Sequence, residues 1–514
     1  MKSIVSLICV LLLIQFSNGQ SVNDELSNRV QTNNGMLSGE SVSGIRTFLG
    51  IPYAQPPVGN LRWKEPQAVK NWEGIRKANH FGPRAMQLPI YSDMQFRSDG
   101  VSEDCLYLNI WTSAKSMTDS LPVLVYFYGG GMKAGDGSEY RYDGESMSRK
   151  GIISITVNYR LGVFGFLALP ELSKESPHHA SGNYGLMDQT EALRWVKTNI
   201  AAFGGNPNNI TIDGESAGSF SVCAQMITPL SKNLFTGAIG ESGAVLDFET
   251  LPTLATAEKT GMQFVQSLGN GSLADLRAMP ADQVLTATVK ARIEDFPMDV
   301  DGYFFPESPL DIYKSGRVSR VPLLVGWNAQ EQDWHAILGE MAPTKTNYIN
   351  AVKKMYPAAA DQILKVYAVN TDADVQDVAT DLASDRFIVF GTWRWAEMQS
   401  KLNATVYRYI FTKPRPGSTG AVHSAEIEYA LGNLSSNRVY SWEPDDYRVS
   451  AVMQTYFLNF IKTRNPNGLG VPYWPVYQSW QKDPVMYIGA ESHRGPDKGR
   501  DRFLLLEKLS DKTN

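Results

Sequence analysis

Apolar runs of strand length alternate along this chain with a segment of helical spacing. Strands are predicted at residues 121–128, 152–159, 209–213, 322–326 and 405–411. A helix is predicted over residues 187–200, in which Ala192, Leu193, Val196 and Ile200 recur on one face. Because the strands are mainly apolar on both faces, we expect a mostly parallel sheet covered by helices, with the chemistry in loops at the carboxyl ends of the strands.

The sequence GESAG at residues 214–218 directly follows one predicted strand and fits the pattern G-x-S-x-G. A helix is predicted after it through Phe220, Val222 and Ala224. A serine on a sharp strand-to-helix turn needs small neighbours, and the turn exposes its hydroxyl above the sheet edge. The pattern therefore predicts Ser216 as a nucleophile, the alternative being a tight turn whose serine has no chemical role.

A run of three glycines, residues 129–131, follows the predicted strand 121–128. Its bare N–H groups suit an oxyanion hole. The alternative is a dinucleotide loop, since Gly129, Gly131 and Ala134 fit the loose fingerprint, with Asp143 or Glu145 further on. That alternative requires a helix at the loop, whereas the following KAGDGS predicts turns. The pattern favours the oxyanion loop.

A serine nucleophile needs a base, and the chain has six histidines. In α/β-hydrolases the order along the chain is serine, acid, histidine, which favours His423 in the loop after strand 405–411. His335 also fits this order, its alternative being a histidine on a helix face. Glu331, just beyond strand 322–326, is the predicted acid, with Asp333 as the nearby alternative.

Composition and charge exclude several classes of protein. The chain has 514 residues, of which 43% are hydrophobic and 20% charged, which is typical of a folded globular protein. The formal net charge of −5 argues against nucleic acid or an anionic membrane as a partner, because both need a basic patch. Three cysteines are too few for a disulfide scaffold, and free thiols at Cys105 and Cys223 are expected.

The N-terminus has the pattern of a secretory signal. Lys2 precedes an apolar run at residues 4–16 and small residues at 17–19. Residues 1–19 are predicted to be removed, leaving residues 20–514 as a single domain that is secreted to an extracellular or periplasmic space. No stable membrane anchor is expected in that mature chain.

Beyond these patterns, the chain resembles the type-B carboxylesterase and cholinesterase family from about residue 30 to about residue 486. Family motifs occur in the family's order at residues 48–63 (FLGIPYAQPPVGNLRW), 102–111 (SEDCLYLNIW), 182–189 (GNYGLMDQ), 203–207 (FGGNP), 327–331 (WNAQE), 420–432 (GAVHSAEIEYALG) and 465–468 (NPNG). The resemblance implies an α/β-hydrolase fold, with a central, mostly parallel mixed sheet flanked by helices and long insertions.

The resemblance also implies the site residues. They are the catalytic Ser216, Glu331 and His423, with an oxyanion hole formed by the N–H groups of Gly130, Gly131 and Ala217. Arg62 and Glu103 match a structural ion pair of the family, and Ser242 matches a serine that supports the triad from behind.

Four positions depart from the family pattern. Ala85 replaces a cysteine that usually pairs with the position of Cys105, Gln332 replaces the glycine after the acid, and Arg464 replaces a glycine. Gln95 stands where cholinesterases have the tryptophan that binds choline.

These features predict a secreted serine hydrolase of small carboxylic esters that needs neither metal nor organic cofactor. The alternative from another class is a catalytically silent adhesion or binding module of the same fold. Among enzymes, a lipase and a cholinesterase are alternative functions that the sequence does not exclude. The sequence also does not define the oligomeric state.

Overall fold

The computed structural model of the chain describes residues 28–247, 250–269, 271–478 and 485–510. The predicted signal sequence, residues 1–19 with Lys2, lies outside the described residues.

The strands are β1 (Arg29–Thr32), β2 (Gly35–Ser38), β3 (Glu40–Val42), β4 (Ile45–Pro52), β5 (Ile75–Lys77), β6 (Arg84–Ala85), β7 (Val101–Ser102), β8 (Tyr107–Thr112), β9 (Leu121–Phe127), β10 (Ile153–Val157), β11 (Gly205–Gly214), β12 (Gly237–Glu241), β13 (Leu323–Asn328), β14 (Val406–Phe411), β15 (Val485–Ile488) and β16 (His493–Gly495).

The α-helices are α1 (Glu145–Arg149), α2 (Gly162–Phe166), α3 (Pro170–Glu175), α4 (Tyr184–Asn199), α5 (Ala217–Ile227), α6 (Leu254–Ser267), α7 (Leu273–Ala278), α8 (Ala281–Ala291), α9 (Pro309–Lys314), α10 (His335–Leu338), α11 (Lys345–Met355), α12 (Ala360–Val366), α13 (Val375–Ser384), α14 (Phe390–Lys401), α15 (Ile427–Leu431), α16 (Pro444–Thr463) and α17 (Arg500–Ser510). Short 3-10 helices cover Gly59–Leu61, Met117–Asp119, Tyr140–Tyr142, Ile200–Phe203, Pro229–Ser231 and Asp372–Asp374, and a π-helical turn covers Asp385–Val389.

An eleven-stranded mixed sheet organises the molecule, in the order β16-β15-β14-β13-β12-β11-β9-β10-β8-β4-β3. Neighbouring strands from β10 to β15 are parallel, and the pairs at both ends of the sheet are antiparallel. The predicted mostly parallel mixed sheet is therefore confirmed. All five predicted strands are present as β9, β10, β11, β13 and β14, and the predicted helix is α4.

Long helical insertions separate the later strands. Helices α6 to α9 lie between β12 and β13, and α10 to α14 lie between β13 and β14. Because β11, β13 and β14 run in the same direction, the loops that follow them meet at one edge of the sheet. The predicted site residues Ser216, Glu331 and His423 all follow these strand ends.

The buried apolar side chains form two clusters. The larger packs around the sheet, and the smaller packs among α10 to α14 and α17. Phe220, on α5, contacts both clusters. Cys105 and Cys223 are buried and unpaired, as expected.

Candidate active site

Ser216 lies on the sharp turn between β11 and α5. Its φ of +56° is in the left-handed region that non-glycine residues seldom adopt. Glycines permit this turn, because a Cβ on Gly218 would lie 1.9 Å from the carbonyl oxygen of Phe127 and one on Gly214 would lie 2.6 Å from it. The Ser216 N–H donates to the carbonyl of Glu241 at 2.8 Å, which ties the turn to β12.

Glu331 and His423 are brought together by two loops that pair with each other. The first loop follows β13 and the second follows β14. The N–H of Gln330 donates to the carbonyl of Ala421 at 2.9 Å, and Gln330 forms a bridge with Val422. This pairing fixes residues adjacent in sequence to Glu331 and to His423, so their side chains meet above the sheet edge.

Ser216, His423 and Glu331 form a continuous chain of contacts. Ser216 Oγ lies 2.9 Å from His423 Nε2, and His423 Nδ1 lies 2.6 Å from Glu331 Oε2. The Glu331 side chain is fully buried, whereas 26% of the His423 side chain is exposed. A neutral imidazole with its proton on Nδ1 donates to the glutamate and leaves Nε2 free to accept from the serine hydroxyl.

Buried polar groups hold the other oxygen of Glu331. Glu331 Oε1 accepts from Ser242 Oγ at 2.6 Å and from the N–H of Asn328 at 2.6 Å. The same hydroxyl lies 3.1 Å from Glu426 Oε1, and Asn328 Nδ2 donates to Glu426 Oε2 at 2.6 Å. Ser242 therefore supports Glu331 from the side opposite the histidine.

Glu215 adds a second carboxylate beside the imidazole. Its Oε1 lies 3.4 Å from His423 Nε2 and accepts from Ser424 Oγ at 2.6 Å. Burial lowers the pKa of His423, but Glu215, Glu331 and Glu426 outweigh it and raise that pKa to about 9. Burial raises the pKa of Glu426 to about 8, and the neighbouring Glu215 and Glu331 carboxylates add to the rise.

The glycine loop after β9 adopts backbone angles that favour glycine. Gly130 and Gly131 have φ values of +111° and +64°. A Cβ on Gly130 would lie 2.2 Å from the carbonyl oxygen of Ala134, and one on Gly131 would lie 3.2 Å from the hydroxyl of Tyr91. Turns rather than a helix follow the loop, so the dinucleotide interpretation lacks the helix it requires. Gly130, Gly131 and Ala217 border the same cavity as Ser216.

A cavity of about 660 Å³ opens above Ser216 and His423. Its apolar wall consists of Met94, Met132, Phe220, Leu251, Phe296, Pro297, Met298, Phe387 and Ile388. Such a volume and lining suit a small organic ligand.

The two cations of the cavity wall are paired with carboxylates. Arg141 contacts Asp93 at 2.9 Å and Glu139 at 2.8 Å, and Lys133 forms an ion pair with Asp295. The wall thus offers a ligand no cation without a carboxylate partner.

The other candidates lie elsewhere. His335 contacts Asp333 at 2.9 Å, and both side chains are more than half exposed and outside the cavity wall. His178, another of the six histidines, is also exposed and stacks on Tyr303. The structure therefore brings neither His335 nor Asp333 to Ser216.

The positions that the family resemblance singled out lie in different parts of the structure. Arg62 and Glu103 form the expected ion pair at 2.6 Å. Gln332 lines the cavity, so the departure after Glu331 affects the site. Gln95 is exposed and outside the cavity wall, and its neighbour Met94 occupies the wall instead. The expectation that Gln95 takes the place of a choline-binding ring is therefore not supported.

Two residues beside His423 were among those missed in the sequence. Glu215 lies within the G-x-S-x-G motif at residues 214–218. Its position next to the nucleophile was a signal that could have identified it as part of the site. Phe387 packs edge-on against His423, with ring centroids 5.2 Å apart. It lies on the π-helical turn Asp385–Val389, for which the sequence has no local signal.

Comparisons with known proteins agree with this geometry. The model of a family described as "Carboxylesterase family" matches residues 26–504. A fumonisin B1 esterase of Sphingopyxis macrogoltabida is 32% identical, over 90% of this chain and 86% of its own length. An acylcarnitine hydrolase of Mus musculus is also 32% identical, over 96% and 93%. The crystal structure of the Geobacillus stearothermophilus carboxylesterase EST55 at pH 6.2 matches with a TM-score of 0.81 and 31% identity, over 93% of this chain and 100% of that one.

Proposed function

Because the chain belongs to the carboxylesterase family and is a carboxylic ester hydrolase of the α/β-hydrolase fold, we propose that it cleaves esters through a covalent acyl-enzyme. Ser216 is the nucleophile, His423 the general base, and Glu331 the acid that orients the imidazole. The observation that carries this proposal is the chain of contacts from Ser216 Oγ to His423 Nε2 at 2.9 Å and from His423 Nδ1 to Glu331 Oε2 at 2.6 Å.

The steps follow from the position of each group. Ser216 Oγ attacks the ester carbonyl carbon while its proton passes to His423 Nε2, which gives a tetrahedral intermediate. The imidazolium, stabilised by Glu331, then protonates the leaving alcohol as the ester C–O bond breaks. Water repeats the sequence on the acyl-enzyme, which releases the carboxylic acid and restores Ser216.

The oxyanion of each intermediate needs donors that are in place beforehand. We assign this role to the N–H groups of Gly130, Gly131 and Ala217, which border the cavity next to Ser216. Ala217 also opens α5, whose N-terminus favours negative charge. This hole and the triad together require no metal or organic cofactor.

Replacement of the nucleophile tests the proposal. Ser216→Ala is expected to abolish hydrolysis of 4-nitrophenyl esters with little change in Tm, because only a hydroxyl is lost. Mass spectrometry after treatment with an organophosphate is expected to place the covalent adduct on Ser216. Near wild-type turnover in Ser216→Ala would overturn the assignment.

The choice of base has its own matched control. His423→Ala is expected to lose about as much kcat as Ser216→Ala, because members of a triad act as a unit. His335→Ala removes an exposed histidine that also contacts a carboxylate and is expected to keep wild-type kcat. The reverse pattern would show that the base is misassigned.

For the substrate we propose a neutral small-molecule ester, because the cavity wall is largely apolar and its cations are already paired. The relatives are named for different esters, so a panel that varies acyl size, alcohol size and charge is the direct measurement. A preference for acyl groups that carry a carboxylate would contradict this proposal.

We also propose that the protein is secreted after removal of residues 1–19, on the strength of Lys2 and the apolar run 4–16. Among the described residues, no helix has the length and apolar character needed to cross a bilayer. N-terminal sequencing of the protein recovered from the medium of an expressing culture is expected to begin at Gln20. An intact Met1 would contradict the proposal.

A further inference from the structure

Behind the nucleophile turn, two strand ends carry buried carboxyl groups that the proposed reaction does not use. Asp213 is the penultimate residue of β11, and Glu241 is the last residue of β12. Both are fully buried. Among the described residues, Asp213 and Glu241 have each other as hydrogen-bonding partners, and the Gly214 amide also faces Asp213.

The sheet register explains why the two side chains meet. Glu241 pairs with Glu215 across the β11–β12 edge, and side chains two residues apart on a strand share a face, so Asp213 is on the same side. On β13, the residue paired with Glu241 is Gly326, whose missing side chain leaves room for the Tyr409 ring.

Among the described residues, the charged groups that act most strongly on Glu241 include no cation. The charged groups nearest to Glu241 are Asp213, Glu426 and Glu215, all of them carboxyls. The hydroxyls of Tyr126 and Tyr409 are buried in the same region without a hydrogen-bond partner among the described residues. Farther from the pair, Glu215 interacts with His423, Glu331 and the cation Arg141, and Tyr142 interacts with Glu139, Arg141 and Glu215. Two contacting carboxyls in such surroundings are not both ionised at neutral pH.

Each strand end also positions part of the triad. The carbonyl of Glu241 accepts from the Ser216 N–H at 2.8 Å, and the next residue, Ser242, donates to Glu331 at 2.6 Å. A bond between Asp213 and Glu241 therefore joins the strand that carries the nucleophile to the strand that supports the acid.

We propose that Asp213 and Glu241 share one proton in the folded protein, and that this carboxylic acid–carboxylate hydrogen bond holds the end of β11 against the end of β12. The role in positioning Ser216 rests on the function proposed above. Both carboxyls are positioning residues, since neither lines the cavity.

The direction of the pKa shifts fits a retained proton. Burial raises the pKa of Asp213 to about 8. Burial and then the contact with Asp213 raise the pKa of Glu241 well above its ordinary range. Carboxyls of the unfolded chain release their protons near pH 4. Unfolding above about pH 5 therefore releases the shared proton, and wild-type stability falls as pH rises from there toward the folded pKa values.

Counting that proton is the test. Tm is measured from pH 5 to pH 9 for wild type, Asp213→Asn, Glu241→Gln and the double variant. Each single variant keeps one carboxyl, which retains the proton. The Tm of each single variant is therefore expected to fall with rising pH as steeply as that of wild type. The double variant has no proton to release and is expected to lose several degrees less by pH 9. Asp282→Asn, which removes an exposed carboxyl on α8, is the control for general charge.

Other patterns overturn the proposal. Single variants with slopes midway between wild type and the double variant would mean two separate protons. A double variant parallel to wild type would mean that the pair holds none. If the double variant does not fold, the single variants still decide, because slopes shallower than wild type contradict sharing.

The positioning role has a kinetic readout. As the shared proton is lost, two like charges push the strand ends apart, so wild-type kcat is expected to fall at alkaline pH while the double variant does not show this fall. If kcat falls equally at alkaline pH in wild type and the double variant, the pair does not position Ser216. Turnover that survives in Ser216→Ala would instead refute the proposed nucleophile, while the Tm curves would still report on the shared proton.

Discussion

The charge state of His423 governs when the proposed reaction can run. The imidazole accepts a proton only while neutral, and three carboxyls raise its pKa to about 9 against the effect of burial. An unperturbed histidine has a pKa near ~6.5. We therefore expect kcat/KM to rise with pH well beyond neutrality, through an apparent pKa clearly above that of a free histidine. A profile that is already flat at pH 6.5 would contradict this expectation.

Glu215 accounts for a definable part of that shift, because its carboxylate lies 3.4 Å from His423 Nε2. Glu215→Gln keeps the shape of the side chain and removes the charge. The apparent pKa in kcat/KM is expected to fall by about 1 unit, the lower end of the range for a contacting charge. Asp333→Asn makes the same change beside the exposed His335 and is expected to leave the profile unchanged. Equal profiles for wild type and Glu215→Gln would refute the role of Glu215.

The end of α16 is joined to the start of β12 by one side chain. Arg464, at the C-terminus of this helix, has φ +65°. Its guanidinium donates to the carbonyl of Thr236 at 3.0 Å and of Ile461 at 2.6 Å and to Thr211 Oγ1 at 2.8 Å. The resemblance to carboxylesterases leads one to expect glycine here, because glycine adopts this left-handed conformation without strain. The arginine is strained in this conformation but forms hydrogen bonds that glycine cannot.

Arg464→Gly tests which effect is larger. Removing the side chain relieves about 1–2 kcal/mol of left-handed backbone strain. It also removes several hydrogen bonds from a charged donor, each worth about 1.5–3 kcal/mol. Burial of the guanidinium offsets a large part of these bonds. The free energy of unfolding, measured with urea, is therefore expected to fall by about 1–3 kcal/mol. A glycine variant as stable as wild type would show that burying the guanidinium cancels its hydrogen bonds.

Gly237→Ala provides the matched change on the strand. A Cβ at this position would lie 2.7 Å from Arg464 Nε and would displace the guanidinium. The variant is expected to be destabilised in the same direction, and the double variant Arg464→Gly/Gly237→Ala by less than the sum. Strict additivity would show that the two positions act independently.

The strands differ in how far the sequence reveals them. Strands β9, β10, β13 and β14 are largely apolar runs, so hydrophobic pattern alone predicts them. Strand β12 (GAIGE) was missed, because its glycines make room for groups distant in sequence: a Cβ on Gly240 would lie 2.3 Å from the Trp395 ring. The order of serine, acid and histidine likewise pointed to Ser216, Glu331 and His423. The place of Phe387 depends on a distant π-helical turn and had no local signal.

The predicted division of the chain into a signal and one domain, residues 20–514, stays a prediction. The contact of Phe220 with both buried clusters is consistent with one folding unit. Independent unfolding of the smaller cluster would appear as a second transition in calorimetry, and a single transition is expected.

One ion pair links the helical insertion after β12 to the loop after β9. Lys133 follows the glycine loop, and Asp295 precedes Phe296, Pro297 and Met298, which line the cavity. Asp295 is 82% exposed and Lys133 35% exposed, so the pair is screened by salt and its contribution is small. It nevertheless joins two parts of the cavity wall, and we expect it to keep this apolar segment of the wall in place.

Charge reversal tests whether the Lys133–Asp295 pair positions the cavity wall, as distinct from stabilising the fold. Lys133→Glu and Asp295→Lys each place like charges together, so the wall segment is expected to move outward and kcat/KM for a bulky acyl ester to fall by up to about 5-fold, the equivalent of ~1 kcal/mol. An acetate ester with the same leaving group has a much smaller acyl group, and its kcat/KM is expected to change little. The double reversal restores attraction and should recover most of the loss. High salt, which screens the pair, should lower the wild-type kcat/KM for the bulky ester relative to that for the acetate ester. If the double reversal is as impaired as the single variants, the two charges act separately and the ion pair does not hold the cavity wall.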